Sequence, residues 1–290
     1  MSVIVAPTVD AAVPGRDGLI AFTRSVFPVS SQIYVVRPNG RGLRQLTHRR
    51  RGAIAPAWSP GGKRIAFTAP GRLSPLHVFV KRLGGGVRQL THGKDAFMQP
   101  TWSPDGRWIA AIRGRWVRGR SHESLVAVRA DGSRIRVVFT GRELSLEYPA
   151  WSPDGRSIAF VKTDIDLQGA DPNIYVVPAE GGAARKIDRF DSQEQPDWSP
   201  DGRLIAYSWG FGLGWDDIHV IHPDGTGDRA LTDDVSIVGE GWPAWAPSGR
   251  RLAIARLGGI WTLAADGSRL RRLTNPRGTA GDLDPSWQPR

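Results

Sequence analysis

A single pattern recurs along this chain at a nearly constant interval. In its most complete form it reads Pro-x-Trp-Ser-Pro-Asp-Gly-Arg, and successive tryptophans of the pattern lie 44, 49, 47, 47 and 42 residues apart. A spacing of about 40–50 residues accommodates four short strands with their turns, and a repeat of this length determines the fold of the whole chain. The six tryptophans are Trp58, Trp102, Trp151, Trp198, Trp245 and Trp287.

Each repeat has the same internal order. An apolar segment follows Ser-Pro-Asp-Gly, as at residues 158–161, and then come a variable segment, a second apolar segment such as residues 174–177, and a glycine-containing turn. Proline presets φ, aspartate bonds to nearby backbone and glycine supplies the left-handed conformation, so these turns favour β-hairpins. The tryptophan is large enough to wedge between neighbouring sheets, and we predict that role for it. The chain has no cysteine, so packing rather than disulfides must stabilise it.

The two ends of the chain carry complementary parts of one repeat. The last repeat stops shortly after Trp287, and the apolar segment that should follow it stands at residues 17–22. Pairing between them would close a ring of sheets without an exposed edge. We therefore predict an all-β fold, a six-bladed β-propeller of four-stranded antiparallel blades, with one blade built from one C-terminal and three N-terminal strands. Residues 15–290 form the single propeller domain in this prediction, and residues 1–14 an N-terminal extension.

These residues resemble the TolB-type six-bladed β-propeller family, whose WD40-like repeat has the same Pro-x-Trp-Ser-Pro-Asp-Gly core. The resemblance spans residues 15–290, with Gly61 and Ser248 in place of the turn aspartate and Ala246 in place of the serine. It implies the propeller fold. The periplasmic member of the family has an additional N-terminal domain and an export signal, neither of which we recognise here, so its role is not carried over.

Antiparallel connectivity assigns every connection to one of two faces. The Ser-Pro-Asp-Gly and Asp-Gly turns share one face, which we call the turn face. The second-to-third-strand connections and the blade-to-blade connections share the other, the loop face. The long, varied segments, including residues 113–123, 163–173 and 208–217, all fall on the loop face. Binding residues usually lie on variable loops held by a rigid scaffold, so we predict binding on the loop face and at the mouth of the central channel.

The residues just before the innermost strands should ring that mouth, and they differ between blades. Early repeats offer apolar residues there, whereas later repeats offer carboxylates. Clustered carboxylates repel one another and favour a cation, an amine or a basic partner residue. The alternative is that they point outward into water. The predicted ligand-binding residues of this group are Phe97, Glu147, Tyr148, Glu194, Glu240, Trp242 and Asp282.

Two loop-face segments add further candidates of opposite character. Arg113, Arg115 and Trp116 belong to a basic segment with an aromatic residue inside it, a composition suited to phosphate or carboxylate groups and to stacking. The alternative is a solvated loop, which is the more common role of such an arginine-rich segment. Trp215 and Asp216 belong to an aromatic, glycine-rich segment that either forms a binding lid or folds down to cover the propeller face.

Signals for metal or catalytic chemistry are sparse. Asp164 and Asp166 begin a partial Asp-x-Asp-x-Asp-Gly pattern, so a divalent metal such as calcium is considered there, although the glutamate expected at the twelfth position is missing. No other cofactor is predicted. Neither Gly-x-Ser-x-Gly nor His-Glu-x-x-His occurs, which indicates that the peptidase domain of some relatives is missing.

The charge differs between the two halves of the chain. Residues 1–145 contain 24 basic and 7 acidic side chains, a net of +17, whereas residues 146–290 contain 15 and 21, a net of −6. A disc with this asymmetry would orient an approaching dipolar partner. It disfavours nucleic acid as a ligand, because the acidic half would repel phosphate.

We therefore hypothesise a non-catalytic recognition module that binds a protein segment or a small ligand, cationic or dipolar, at the loop face and channel mouth. The alternative is an enzyme, a lyase, hydrolase or isomerase, that uses carboxylates and a metal at the same mouth. No run of apolar residues approaches a membrane span. We expect a monomer without membrane attachment, cytoplasmic as written or exported if the chain is a trimmed precursor.

Overall fold

The repeats fold into a ring of twenty-four β-strands. The computed structural model describes residues 15–26, 30–72, 75–117, 120–141, 144–166, 169–187, 193–210, 217–232 and 240–290. Within these ranges the strands form six four-stranded antiparallel sheets and no helix. The prediction of an all-β, six-bladed propeller is confirmed.

Each blade is one sheet, whose strands follow one another from the innermost, at the channel, to the outermost. Blade 1 contains β24 (Ala280–Pro289), β1 (Asp17–Val26), β2 (Ser30–Val36) and β3 (Arg44–Gln45). Blade 2 contains β4 (Ile54–Trp58), β5 (Arg64–Pro70), β6 (Leu76–Arg82) and β7 (Val87–Gln89), and blade 3 contains β8 (Ala96–Trp102), β9 (Trp108–Val117), β10 (Arg120–Arg129) and β11 (Ile135–Thr140). Blade 4 contains β12 (Leu144–Trp151), β13 (Ser157–Asp166), β14 (Gly169–Pro178) and β15 (Arg185–Lys186). Blade 5 contains β16 (Gln193–Trp198), β17 (Ile205–Trp209), β18 (Asp217–Ile221) and β19 (Arg229–Ala230), and blade 6 contains β20 (Glu240–Trp245), β21 (Arg251–Arg256), β22 (Gly259–Ala264) and β23 (Arg271–Arg272).

Blade 1 closes the ring by pairing the last strand with the first. In this antiparallel pair Ile20 lies opposite Trp287, and Val26 lies opposite Ala280. The predicted composite blade, with one C-terminal and three N-terminal strands, is therefore present, and the sheets form a closed ring as predicted.

The repeated tryptophan packs between blades, as predicted. The buried apolar residues fall into six clusters, each made of residues from two adjacent blades and each containing one repeat tryptophan. Trp102 and Trp198 also donate an indole hydrogen bond to a backbone carbonyl of the preceding blade, at 3.1 and 3.2 Å. The core of the molecule is thus a series of interblade layers around the channel.

The Ser-Pro-Asp-Gly turn is held by its own side chains. In blade 5 the Ser199 hydroxyl accepts the backbone N–H of Leu204 at 2.9 Å and donates to Asp201 at 2.6 Å. Asp201 in turn accepts the backbone N–H of Arg203 at 3.1 Å. Blade 1, whose turn is interrupted by the chain ends, substitutes the Gln288 amide oxygen, which accepts the N–H of Leu19 at 3.0 Å.

Replacing Ser199 with alanine is expected to lower the free energy of unfolding by about 1–2 kcal/mol, because it leaves the N–H of Leu204 without its acceptor. Urea unfolding would measure the change. The control is Ser248→Ala in the equivalent turn of blade 6, where serine stands at the aspartate position. Its hydroxyl makes a long hydrogen bond of 3.4 Å with the backbone N–H of Arg250, so a change below about 0.5 kcal/mol is expected. Equal losses in the two variants would contradict this account of the turn.

A second repeated side chain, which no sequence pattern singled out, also joins blades on the turn face. Arginine stands at one position of the outermost strand and donates to a carbonyl in the turn of the next blade. These hydrogen bonds run from Arg88 to Ala130, from Arg136 to Ala179, from Arg185 to Pro223 and from Arg271 to Asn39, at 2.8, 2.6, 2.7 and 3.3 Å. They link the outer edges of adjacent blades.

Two predicted loops of the loop face are strands. The β9–β10 hairpin pairs Arg113 with Ser124 and continues to Val117 opposite Arg120, and the β13–β14 hairpin continues to Asp166 opposite Gly169. The prediction of loops at 113–123 and 163–173 is wrong, because the described residues of both segments are paired strands. Alternation of polar and apolar residues, as in Thr-Asp-Ile-Asp, lets both segments extend the hairpin rather than leave it.

Candidate functional site in the central channel

All six innermost strands carry the same backbone irregularity. The pairing register shifts just before the repeat proline, and the residue at the shift has a left-handed φ between 49° and 59°. Such a φ is uncommon for residues other than glycine and costs of the order of 1 kcal/mol at each position. We call these six residues the middle ring: Ala55, Gln99, Tyr148, Gln195, Trp242 and Asp284.

Hydrogen bonds from the preceding blade hold several of these residues in place. The backbone N–H of Tyr148 donates to the Gln99 side-chain oxygen at 2.9 Å, and that of Trp242 donates to the Gln195 side-chain oxygen at 2.6 Å. The N–H of Ala55 donates to a threonine hydroxyl of blade 1 at 3.0 Å. Side chains of one blade therefore fix the strained backbone of the next, and the ring is a connected unit.

The Tyr148 side chain lies in the channel near carboxylates of several blades. Its phenol, in blade 4, is hydrogen-bonded to the Gln195 side chain of blade 5 and also interacts electrostatically with Asp284 of blade 1. Burial raises the pKa of the Tyr148 hydroxyl, and the nearby carboxylates of Glu147, Glu194 and Asp284 raise it further. The phenol is therefore neutral at physiological pH and can donate a hydrogen bond.

On the loop-face side of the middle ring lies a group of carboxylates that we call the vestibule: Glu123, Glu147 and Glu194. Glu147 is half-buried, and burial raises the pKa of its carboxyl, with further increases from Glu194 and Glu123. Glu123 accepts the backbone N–H of Leu146 at 2.7 Å, whereas no described residue gives Glu147 a hydrogen bond or an ion pair. Within the described residues, Glu147 is therefore a half-buried acid beside two other acids and without an ion-pair partner.

On the turn-face side of the middle ring lies a partly open space that we call the chamber. It has a volume of about 220 Å³, is lined by residues of all six inner strands and extends to Pro60, Pro247 and Pro289 beside the Ser-Pro-Asp-Gly turns. The vestibule carboxylates do not line it. The channel therefore has two compartments, with Tyr148 and the rest of the middle ring between them.

The chamber contains an unusual carboxyl group. Asp197 occupies the variable position of Pro-x-Trp in blade 5, and burial raises the pKa of its side chain to about 7, against the lowering effect of the backbone N–H groups of Trp245 and Trp198. The Trp245 N–H lies 2.7 Å from Asp197 Oδ2. Protein atoms pack around the Asp197 carboxyl, but part of the surface of this residue remains accessible from the channel. Asp197 consequently changes charge near neutral pH.

Asp284 is the second carboxyl of the chamber. It belongs to the middle ring, and burial raises the pKa of its side chain in spite of hydrogen bonds from the Thr23 hydroxyl and the Ala55 backbone. The Thr23 hydroxyl donates to Asp284 at 2.8 Å. These two carboxyls face the channel from different blades, and we find no group of three metal-binding side chains among the residues that the structure describes.

The predicted site residues fall into separate groups. Glu147, Tyr148, Glu194 and Trp242 lie along the channel, where they were predicted. Asp282 is completely buried against Arg24 and Thr274, and Phe97 is 3 % exposed within an interblade cluster, so these two side chains are positioned as parts of the scaffold.

Other predicted residues lie away from the channel or outside the described residues. Arg115 is exposed and its guanidinium lies 3.1 Å from Asp95, with Arg113 at 4.0 Å from the same carboxylate. Residues 164–166 form the end of β13, so their backbone is an extended, paired strand rather than a wrapped calcium loop. The side chains of Trp116, Asp164, Asp166 and Glu240 lie outside the described part of the structure, as do Trp215 and Asp216 altogether.

Asp197 and Asp284 were not among the predicted site residues. A signal was available: the position between the repeat proline and tryptophan holds small or hydroxyl residues in five repeats and an aspartate in blade 5. An acidic residue at a position that holds small residues in the other repeats indicates an ionisable group directed into the ring. Only the register shift before the proline, which no sequence pattern predicted, shows that this position faces the channel.

Comparison with known proteins agrees with this architecture. No curated protein matches the sequence. TolB from Acinetobacter baumannii is a similar structure, 19% identical with a TM-score of 0.74, covering 94% of this chain and 67% of that one. A putative TolB from Agrobacterium tumefaciens is 20% identical with a TM-score of 0.69, covering 95% and 99%. An oligogalacturonate lyase in complex with manganese is 15% identical with a TM-score of 0.57, covering 91% and 75%. At these identities the likeness shows the fold alone.

A family profile extends the comparison to the sequence itself. The profile described as TolB beta propeller domain matches residues 115–290, more than half of the chain. Among the described residues no helix is long and apolar enough to cross a membrane. The matched segment covers blades 4 to 6 and most of blade 3, together with β24, the strand that completes blade 1. The chain therefore belongs to the TolB β-propeller domain family.

Proposed function

We propose that the chain is a recognition module whose vestibule binds a positively charged segment of a partner protein. The observation that carries this proposal is the half-buried carboxyl of Glu147, which faces two other carboxylates and has no counter-ion among the described residues. Each of these charges destabilises the others, and a lysine or arginine side chain placed between them would remove that repulsion.

The surroundings of the vestibule support a protein segment as the occupant. The vestibule opens on the loop face, where the β9–β10 and β13–β14 hairpins extend beyond the ring. Projecting hairpins around a charged depression give a partner segment both a charged anchor and a larger surface to contact.

Replacing Glu147 and Glu194 with glutamine should weaken binding of a short fluorescent oligolysine peptide to the full chain by at least about tenfold, because two carboxylates that contact the cation are lost. Fluorescence anisotropy would measure the dissociation constant. Binding to the unmodified chain should also weaken as salt is added, since the charges are partly exposed.

The matched control removes two carboxylates from the turn face. Glu180 and Asp131 are exposed turn residues, and the Glu180→Gln/Asp131→Asn variant has the same net charge as the vestibule variant. The control should bind the peptide like the unmodified chain. Equal losses in both variants would show only a response to net charge, and unchanged binding in the vestibule variant would refute the proposal.

A second candidate, an enzyme that uses carboxylates in the channel, is favoured by one specific observation. Asp197 lines the chamber with a pKa of about 7, and a group with such a pKa can act as a general acid or base. The similar oligogalacturonate lyase provides a direct test of this class. Incubation of the chain with oligogalacturonate and manganese, followed by ultraviolet absorbance of an unsaturated product, would support the enzyme if Asp197→Asn abolishes turnover.

A further inference from the structure

The chamber is a separate compartment with its own opening. The middle ring bounds it on one side, and on the other it extends to three prolines beside the turns of the turn face. A volume of about 220 Å³ is below the about 300–1,000 Å³ of common ligand pockets, so it suits a small molecule rather than a protein segment. Whatever binds there enters from the face opposite to the vestibule.

Among the residues described around it, the chamber contains two carboxyl groups that become negatively charged when they lose a proton, and no group that becomes positively charged. Asp197 and Asp284 are the carboxylic acids among the described residues that line it, and those residues include no lysine, arginine or histidine. Tyr148 is the remaining ionisable group of the lining and is neutral. An anionic ligand would therefore be repelled, whereas a cation would be attracted.

Both carboxyls keep unused hydrogen-bond acceptor sites. An ionised carboxylate has about four such sites. Asp197 accepts the N–H of Trp245 at 2.7 Å and a second one from Trp198, and Asp284 accepts the Thr23 hydroxyl at 2.8 Å and the N–H of Ala55. Both side chains retain surface on the channel side. They can therefore accept further N–H groups from a molecule in the chamber.

The walls of the chamber combine proline rings and two aromatic side chains with polar groups. The repeat prolines of all six blades and the half-buried rings of Tyr148 and Trp242 line it, together with the amides of Gln99 and Gln195. Such walls do not replace the water ligands of a small hydrated metal ion, but they stabilise an alkylated ammonium group through its carbon atoms and through cation–π attraction. The combination of carboxylates with aromatic walls is selective for organic cations.

We propose that the chamber is a second binding site, which takes a small organic ammonium ion through the turn-face opening. The ammonium group lies against Asp197 and Asp284, and its alkyl part packs on the repeat prolines and on the Tyr148 and Trp242 rings. This site is independent of the vestibule, because the two compartments have different lining residues and open on different faces.

Isothermal titration of the full chain with choline and with its neutral isostere, 3,3-dimethylbutan-1-ol, tests the proposal. The two probes have nearly the same shape and differ in charge. Choline should bind with a dissociation constant below about 1 mM, and the alcohol should bind at least about tenfold more weakly. Replacing Asp197 with asparagine should weaken choline binding about tenfold or more, and Asp284→Asn provides the second variant if the first does not fold.

Affinity for choline should rise between pH 6 and pH 8 in the unmodified chain, because the Asp197 carboxyl, with its pKa of about 7, loses its proton over that range. Asp284, the other chamber carboxyl, changes affinity in the same direction, and Asp197→Asn should reduce the slope. The Glu180→Gln variant, altered on the exposed turn face, should bind choline normally.

Three outcomes would overturn the proposal. The first is no heat of binding with choline at either pH. The second is equal affinity for choline and the alcohol, which would indicate an apolar pocket without charge selectivity. The third is tighter, Asp197-dependent binding of calcium or manganese than of choline, which would make the chamber a metal site.

Discussion

Replacing Asp282 with alanine is expected to lower the free energy of unfolding by about 3–5 kcal/mol, a loss larger than that expected for any turn residue of the propeller. Asp282 is completely buried in β24 and accepts two hydrogen bonds from Arg24 of β1, at 2.6 and 2.7 Å, and one from Thr274 at 2.6 Å. Without the carboxylate the Arg24 guanidinium is a buried charge with no counter-ion. Because β24 and β1 close the ring, the loss is expected to fall on the cooperative unfolding of the whole propeller, measured by urea denaturation.

Two control variants separate the ion pair from other effects. The Arg24→Met/Asp282→Leu double variant removes both charges and should be more stable than Asp282→Ala, since an apolar pair of similar size avoids the unpaired charge. Arg203→Met breaks an exposed pair with Asp201, 3.8 Å apart, and should change stability by less than about 1 kcal/mol. The interpretation fails if the double variant is no more stable than Asp282→Ala.

Replacing Asp197 with asparagine should stabilise the fold more at pH 8 than at pH 5. The folded chain holds the Asp197 proton up to a pKa of about 7, whereas the unfolded chain releases it near the ordinary value of 3.8. Between these values the folded state binds more protons, so the stability of the unmodified chain falls as pH rises and the loss is complete above pH 7. Asparagine does not ionise. The free energy of unfolding of the Asp197→Asn variant relative to the unmodified chain should therefore increase by about 1.4 kcal/mol per pH unit as the pH rises, to at most about 4 kcal/mol.

Urea unfolding of both chains from pH 5 to pH 8 would measure this difference. Asp284 and Glu147, whose pKa values are also raised by burial, affect both chains equally and cancel in the comparison. Asp201→Asn is the control, because hydrogen bonds lower the pKa of that turn carboxyl and place its titration below the measured range. A stability difference for Asp197→Asn that stays constant from pH 5 to pH 8 would show that the carboxyl is already ionised in the folded chain.

The sequence predicted the scaffold well because the repeat encodes it several times. The tryptophan spacing, the turn residues and the split repeat at the two ends each indicated the same closed ring, and the observed pairing of Ile20 with Trp287 agrees with all three. Where the pattern was not repeated, prediction was weaker. The hairpins ending near Val117 and Asp166 were interpreted as loops because their length is particular to their own blades.

The channel could be predicted only in part. The sequence placed Glu147 and Glu194 at the mouth, because those positions precede the innermost strands. The aspartate at an otherwise small position of the repeat was a signal for Asp197, but the register shift before the proline, which places Asp197 and Tyr148 along the channel, could not be predicted from the sequence. The sequence also assigned Asp282 to the ligand-binding residues, although Arg24, more than 250 positions away, neutralises it.

The middle ring has a consequence for how such a protein can acquire new ligands. Its left-handed backbone is set by the register shift and by hydrogen bonds to N–H groups, which every residue except proline possesses, so the same position accepts alanine, glutamine, tyrosine, tryptophan and aspartate in different blades. At positions such as Ala55, whose side chain does not hold the next blade, a single mutation changes the chemical group that faces the channel without removing a hydrogen bond between blades. Substitutions at such positions would let related chains change their ligand specificity one residue at a time while each intermediate chain remains folded.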